Sequence, residues 1–303
     1  MKVVAAFAAV YLIWGSTYLA IKFAEESLPP FFMAGTRFLI AGSILYFVVR
    51  LRGAKRENKT DWGKMFVTGG LMLLGGHGAV VWSEQSVPSG LTSLLVGTVP
   101  LWIALLDWMW NRSRPNLKII GGLAVGFGGI ILLAGGIGSL GASSIGVTGA
   151  VILICGAFLW ANGSLYSRST ILSCSPLRGT ALEMIAGGLL LLLASLIAGE
   201  WNHLRLDNVS PLSLGSWIYL ILLGSLVGFT SYIWLLKTVP PSQASTYAYV
   251  NPVVAMFLGW ALASEPVTLR SVAAAALILT AVVIITTFRD QAEPACDTEA
   301  RTK

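Results

Sequence analysis

The fold class that this sequence predicts is an all-α membrane protein of ten transmembrane helices, arranged as two inverted five-helix repeats. Three observations predict it: an apolar composition, a one-sided distribution of basic residues between the apolar stretches, and self-similarity between the two halves of the chain. Of 303 residues, 55% are hydrophobic and 11% are charged, with a mean hydropathy of +0.77. A soluble domain carries about 25% charged residues, so this chain is too apolar for water. Ten crossings of about 20 residues each, joined by short loops, use up its length.

The apolar windows place helices near 3–23, 30–49, 64–83, 90–110, 117–137, 149–167, 179–198, 216–236, 244–263 and 269–288. The first run is longer than the apolar core of a signal peptide, about 7–15 residues, and holds the polar Trp14-Gly15-Ser16-Thr17 stretch, which argues for a retained helix. Paired glycines recur inside the helices (Gly69-Gly70, Gly75-Gly76, Gly121-Gly122, Gly128-Gly129, Gly187-Gly188). Small residues of this kind let helices in lipid approach closely. Two repeats are expected over 3–137 and 149–288, followed by a polar cytoplasmic tail, 289–303.

Orientation follows from the excess of Lys and Arg in cytoplasmic loops. With the N-terminus inside, sixteen basic residues fall in inner segments, six of them between Arg50 and Lys64, whereas the outer side holds only Lys22, Arg205 and Arg270. Both termini are therefore expected in the cytoplasm of a multi-pass inner-membrane protein. The net charge of +6 and pI near 9.3 express this topology rather than a nucleic-acid surface, because the charges sit in short clusters between apolar runs. Cys155, Cys174 and Cys296 have no metal-type spacing or pairing. No HExxH, phosphate loop or Ser-His pair is present, so no enzyme chemistry, metal or other cofactor is expected.

The two halves echo each other at a lag near 150. Pro88, Pro100 and Trp82 recur as Pro240, Pro252 and Trp234 at a lag of 152, and Pro115 recurs as Pro266 at 151. Trp14, Pro30 and Arg37 correspond to Trp160, Pro176 and Glu183 at 146. Five helices cross the bilayer an odd number of times, so a second copy is inserted upside down. Inverted repeats imply alternating access around a site near the midplane. A channel-like permease with the same symmetry and, further off, a membrane-embedded enzyme are the competing readings.

The series Trp14-Gly-Ser-Thr-Tyr18, Pro29-Pro30, Arg37-Phe38, Val87-Pro-Ser-Gly90, Thr98-Val-Pro100, Tyr247-Ala-Tyr-Val-Asn-Pro252, Gly259 and Glu265 resembles the EamA-type members of the drug/metabolite transporter superfamily over nearly the whole chain. The resemblance implies a central cavity and transport, often export, of amino acids, other metabolites or toxic organic compounds, and it points to bacterial inner-membrane exporters. It does not name the substrate. The implied partners are a small-molecule substrate and the lipid bilayer.

Arg37, about 10 Å into the membrane by helical rise, costs at least ~2.5 kcal/mol there unless it faces protein or water. Its counterpart Glu183 enters from the opposite side. The pair is expected to set the electrostatics of the cavity, Arg37 favouring a carboxylate and Glu183 an amine or a coupling proton; a structural tie between helices is the alternative. Proton antiport and facilitated diffusion both fit one buried Glu. Trp14, Ser16, Thr17, Tyr18, His77, Trp160, Asn162, Tyr247, Tyr249 and Asn251 are the other candidate wall residues. Pro100 and Pro252 each remove a backbone donor inside a helix and are candidate gates. Glu84 and Asp107, near helix ends, are expected to be solvated, and Trp108 and Trp110 to belong to the interfacial belt.

Overall fold

A computed structural model of the chain describes residues 2–86, 92, 95–111, 116–133, 147–202, 204–263 and 268–288. Among these the regular structure is helical throughout: α1 (Lys2–Glu25), α2 (Pro30–Leu51), α3 (Lys59–Glu84), α4 (Val99–Asn111), α5 (Leu117–Leu133), α6 (Val147–Ser169), α7 (Pro176–Ile197), α8 (Pro211–Thr238), the short α9 (Pro241–Ala244), α10 (Tyr247–Ala263) and α11 (Leu269–Thr287). Seven of them (α1, α2, α3, α6, α7, α8 and α11) are long and apolar enough to cross a membrane, and α5 is a shorter apolar helix. Pro88, Pro115, His203, Glu265, Pro266 and the tail lie outside the described residues.

Local chemistry sets the helix ends, and it moves several of them from where hydropathy alone places them. The third helix begins at Lys59 because Asn58 and Asp61 form a reciprocal capping box. The seventh and eighth begin at Pro176 and Pro211, behind the capping hydroxyls of Ser175 and Ser210. A hydropathy window passes over such polar first turns. The window at 244–263 is broken instead: α9 ends at Ala244 and a turn at Ser245-Thr246 precedes α10.

α2 and α7 are built alike. Each has 22 residues, starts on a proline and is followed by a glycine with left-handed φ, Gly53 at 71° and Gly199 at 73°. They run antiparallel, since each end of one is tied to the opposite end of the other. Glu200, just past α7, accepts hydrogen bonds from the Phe31 and Phe32 amides at the start of α2 (3.1 and 2.8 Å). Arg178, in the first turn of α7, donates to the carbonyls of Ala54 and Lys55 beyond the end of α2 (both 2.8 Å) and pairs with Glu57 at 2.8 Å. Between the ends the backbones touch: a Cβ on Gly188 would lie 2.6 Å from the Leu39 amide, and one on Gly42 2.9 Å from the Ala181 carbonyl. The glycines thus act as predicted here, whereas Gly121 and Gly128 face open space.

The other principal contacts also cross between the halves of the chain. α3 packs on α6 and α7, α4 on α6, α5 on α11, and α1 on α8 and α10. The outer surface is rich in large apolar side chains, Phe47, Leu51, Leu193, Ile197 and Val283 each being more than half exposed. Exposure on this scale suits lipid rather than water. Trp108 and Trp110 are also exposed, at 48% and 50%.

Two helices carry the same backbone irregularity. In α3 the segment Gly70–His77, and in α8 the segment Leu220–Phe229, wind as π-helix, with hydrogen bonds spanning one residue more than in an α-helix. Hydrophobic periodicity gave no sign of this. The two segments end at His77 and Phe229, 152 residues apart, the lag seen in the sequence.

Candidate functional site

The two π-helical segments flank a recess with ≈ 680 Å³ of empty space between helices of both halves of the chain. α1 contributes Trp14, Thr17, Tyr18 and Ile21; α2 Arg37 and Phe38; α3 Gly76, His77 and Val80. From the second half come Gly156, Ala157 and Trp160 of α6, Gly224 and Phe229 of α8, and Tyr247 and Asn251 of α10, with Val96 and Val99 closing the wall.

Glycines in the π-helical segments make room for the large side chains of this wall. A Cβ on Gly224 would stand 2.8 Å from Arg37 Nη2, one on Gly228 2.6 Å from Trp14 Nε1, and one on Gly76 2.8 Å from the Trp160 ring. Trp14 also donates its indole N–H to the Gly224 carbonyl (3.1 Å). Trp14 meets Trp160 edge to face at a centroid distance of 5.8 Å, and Tyr247 at 4.8 Å. The result is an aromatic box at the join of the two halves.

Arg37 is 3% exposed. Its Nε donates to Ser225 Oγ at 2.8 Å, Nη1 lies 3.5 Å from His77 Nε2, and the guanidinium carbon sits 4.8 Å from the centroid of the Phe38 ring. No acidic side chain among the described residues lies within ion-pair distance of it. Asn251 is 2% exposed, lines the same recess, and its Oδ1 has no hydrogen-bond partner. The recess thus offers a cation, an open acceptor and aromatic faces.

Trp14, Thr17, Tyr18, Arg37, His77, Trp160, Tyr247 and Asn251 therefore come together around one space. Six other predicted residues, four of the wall candidates and both prolines, do not line it. Ser16 bonds the Ile13 carbonyl and the Tyr219 hydroxyl, Asn162 donates to the Phe158 carbonyl, and Tyr249 reaches the Leu123 carbonyl. Each stands about 200° around its helix from a neighbour two positions away that does line the recess. Glu183 is buried among α3, α6 and α8, with Ser167 as its hydrogen-bond partner, so it does not share the cavity with Arg37. Pro252 sits inside α10 as predicted, yet off the recess.

Pro100 corrects the sequence reading more directly. It occupies the first turn of α4, behind a turn at Gly97-Thr98, where a missing amide leaves no helical hydrogen bond unmade. Glu84 corrects it too: both carboxylate oxygens are shielded and unpartnered, as is Glu25 Oε1. Tyr18 and Ile21 on α1, and His77 and Val80 on α3, line the recess, and Glu25 and Glu84 continue those faces one turn further on. Asp107 accepts a hydrogen bond from Asn111 (2.6 Å). Gly224, Gly228 and Ser225 were not among the sequence candidates, because their contribution depends on which helix packs beside α1 and α2.

A bundle of membrane-crossing helices around a partly polar recess is the build of a membrane transporter. The chain belongs to the EamA-like transporter family, which it matches over residues 1–135 and 147–287. It is similar to a protein of Escherichia coli K12 named "Uncharacterized inner membrane transporter YedA", at 39% identity over 92% of this chain and 88% of that protein. A "Probable amino-acid metabolite efflux pump" of Salmonella typhimurium LT2 is 24% identical over 91% of both chains. A solved crystal structure superposes with a TM-score of 0.77 at 19% identity, covering 94% of this chain and 97% of that one, which shows the fold alone.

Proposed function

We propose that this protein carries a small organic metabolite with an anionic group and an apolar body, amino acids being the first class to test, outward across the inner membrane by alternating access. The observation that carries the reading is Arg37: a buried guanidinium with no carboxylate of the described residues within ion-pair distance, in an aromatic recess shared by both halves of the chain. An unpaired cation in a low-dielectric wall is costly, and a solute carboxylate supplies the missing charge as a two-pronged hydrogen-bonding partner. Asn251 Oδ1 offers an acceptor to an ammonium or amide on the same solute, and the rings around it hold the apolar part.

Ten crossings in two inverted repeats, with both termini in the cytoplasm, complete the proposal. Exchanging the halves converts the contact of α1 with α8 into that of α6 with α3, and the contact of α1 with α10 into that of α6 with α4. It maps the pairs α2–α7 and α5–α11 onto themselves. The antiparallel run of α2 and α7 supports an inverted relation of this kind. Two packings related by such an exchange open one recess to either side in turn. The names of the relatives support the inner membrane as the location and an amino-acid-like cargo moving outward.

The test is flux in proteoliposomes containing purified protein, with a panel of radiolabelled amino acids. Saturable uptake accelerated by unlabelled solute on the far side is expected, and Arg37→Ala is expected to lower it by at least tenfold at equal protein content, on the order of 1.4 kcal/mol of lost interaction. Unchanged flux in Arg37→Ala would remove the guanidinium from the site, and flux without counterflow acceleration would favour a channel-like permease.

A further inference from the structure

Glu183 is a buried ionisable group that does not line the solute cavity. It is 1% exposed, its Oε1 has no hydrogen-bond partner, and its Oε2 meets only the Ser167 hydroxyl at 3.5 Å. No cationic side chain lies within ion-pair distance of it among the described residues. With no cation in contact, a carboxyl so buried is neutralised at short range by a proton, and Lys237 acts on it only from beyond ion-pair distance.

Polar groups lead from it towards the cavity through an otherwise apolar core. Ser167 and Ser164 lie one turn apart on α6, about 4.5 Å of helical rise, so a proton passing between their hydroxyls needs one intervening water. The Ser164 hydroxyl is 2.9 Å from that of Tyr232. Tyr232 also accepts from the Trp160 indole at 3.3 Å and interacts with the hydroxyl of Tyr247. Trp160 and Tyr247 both line the cavity. Tyr232 itself is fully buried and packs its ring on Trp14, Trp160 and Tyr247.

We propose that Glu183 is a proton-binding site set apart from the solute cavity and joined to it by the hydroxyls of Ser167, Ser164, Tyr232 and Tyr247. It rests on the carrier reading above and supplies the coupling ion for it. In the transfer the carboxylic O–H bond breaks, each hydroxyl in turn takes up one proton and releases its own, and water in the cavity receives the last. The carboxylate left behind faces Tyr232 and Lys237 on α8 and Ser167 on α6, while Gly69 of α3 lies against the Glu183 backbone carbonyl. Because the Tyr232 ring also packs against the wall of the solute site, filling that site and moving the proton are coupled through one side chain.

The test needs no solute. Infrared difference spectra of the purified full-length protein in lipid nanodiscs, recorded between acidic and alkaline buffer, are expected to contain a protonated-carboxyl band. That band should be absent from Glu183→Gln and present in Arg37→Ala and in the Glu25→Gln, Glu84→Gln double variant. Ser167→Ala, which keeps the carboxyl, should shift its frequency, and it serves if Glu183→Gln does not fold. A spectrum without the band in the unaltered protein, or one unchanged in Glu183→Gln or in Ser167→Ala, overturns the proposal. Absence of solute flux would overturn the carrier reading and leave this spectrum as it is, so the two failures are distinct.

Discussion

Arg37 stands in its cavity because a glycine on another helix lets it. Gly224→Ala would put a methyl group 2.8 Å from Nη2 and force the guanidinium off Ser225. Transport in Gly224→Ala is expected to fall about as far as in Arg37→Ala, by roughly tenfold or more, with abundance and melting temperature nearly unchanged because the side chain that must move is flexible. The comparison of flux with thermal stability checks it. Which residues face the cavity was partly legible from spacing: 14, 17, 18 and 21 on α1, and 247 and 251 on α10, repeat at three and four residues, whereas 16 and 249 break that series. Glu183 satisfied the repeat and is just as buried, but no sequence rule shows whether a buried carboxyl opens on a cavity or on a neighbouring hydroxyl.

A second prediction at this scale concerns Glu57, in the segment between α2 and α3. Burial raises its carboxyl, but the Tyr46 hydroxyl at 2.6 Å, a backbone hydrogen bond and the Arg178 and Arg56 charges outweigh that and hold it below the ordinary range. A carboxyl depressed by folding stabilises the protein above its unfolded value, and the contribution is lost as pH falls through the folded one. The melting temperature of Glu57→Gln protein is therefore expected to lie below that of the unaltered protein at pH 7. The two should converge as the pH is lowered through the acid range, and a gap that stays constant with pH would contradict the ionised pair.

Helices meet through glycine in the α2–α7 pair, and the consequence is one of backbone rather than side-chain packing. Gly188→Ala places its methyl group 2.6 Å from the Leu39 amide, so the two helices must separate. A loss of about 1–3 kcal/mol is expected, read as a lower melting temperature in detergent. Gly121→Ala, which meets nothing within 4 Å, should be neutral or slightly stabilising. Periodicity made every long apolar helix legible, and glycine pairs marked close approach, but not which of them are used. The π-helical segments stayed hidden because one extra residue per turn leaves composition unchanged, and its effect is to turn Gly76, His77, Gly224 and Phe229 towards the recess.

Across the whole molecule, the ties at one end of the bundle join segments from the two halves. Asn58 Nδ2 donates to Ser173 Oγ (2.7 Å), and Asp61 accepts from the Ser173 amide (3.1 Å). If the halves exchange conformations during transport, such ties must break and reform. Asn58→Cys with Ser173→Cys, in a protein whose own three cysteines are serine, is expected to lose most solute flux on oxidation and to regain it on reduction. Full flux in the cross-linked protein would place the moving parts elsewhere. Tags at residues 55 and 168 should both report the cytoplasm, and tags on opposite sides would end the inverted-repeat proposal.

Hydropathy was enough to read the membrane class and the helical segments from the chain alone, because the cost of burying charge and backbone in lipid acts on each segment separately, and the motif series carried the resemblance to the family. The cavity is different in kind. That Gly224 shelters Arg37, that Trp14 and Trp160 meet, and that Arg37 faces Ser225 are relations between helices distant in the chain. Only the packing of one half against the other decided them, since side chains 146 to 210 residues apart become neighbours only when the bundle closes.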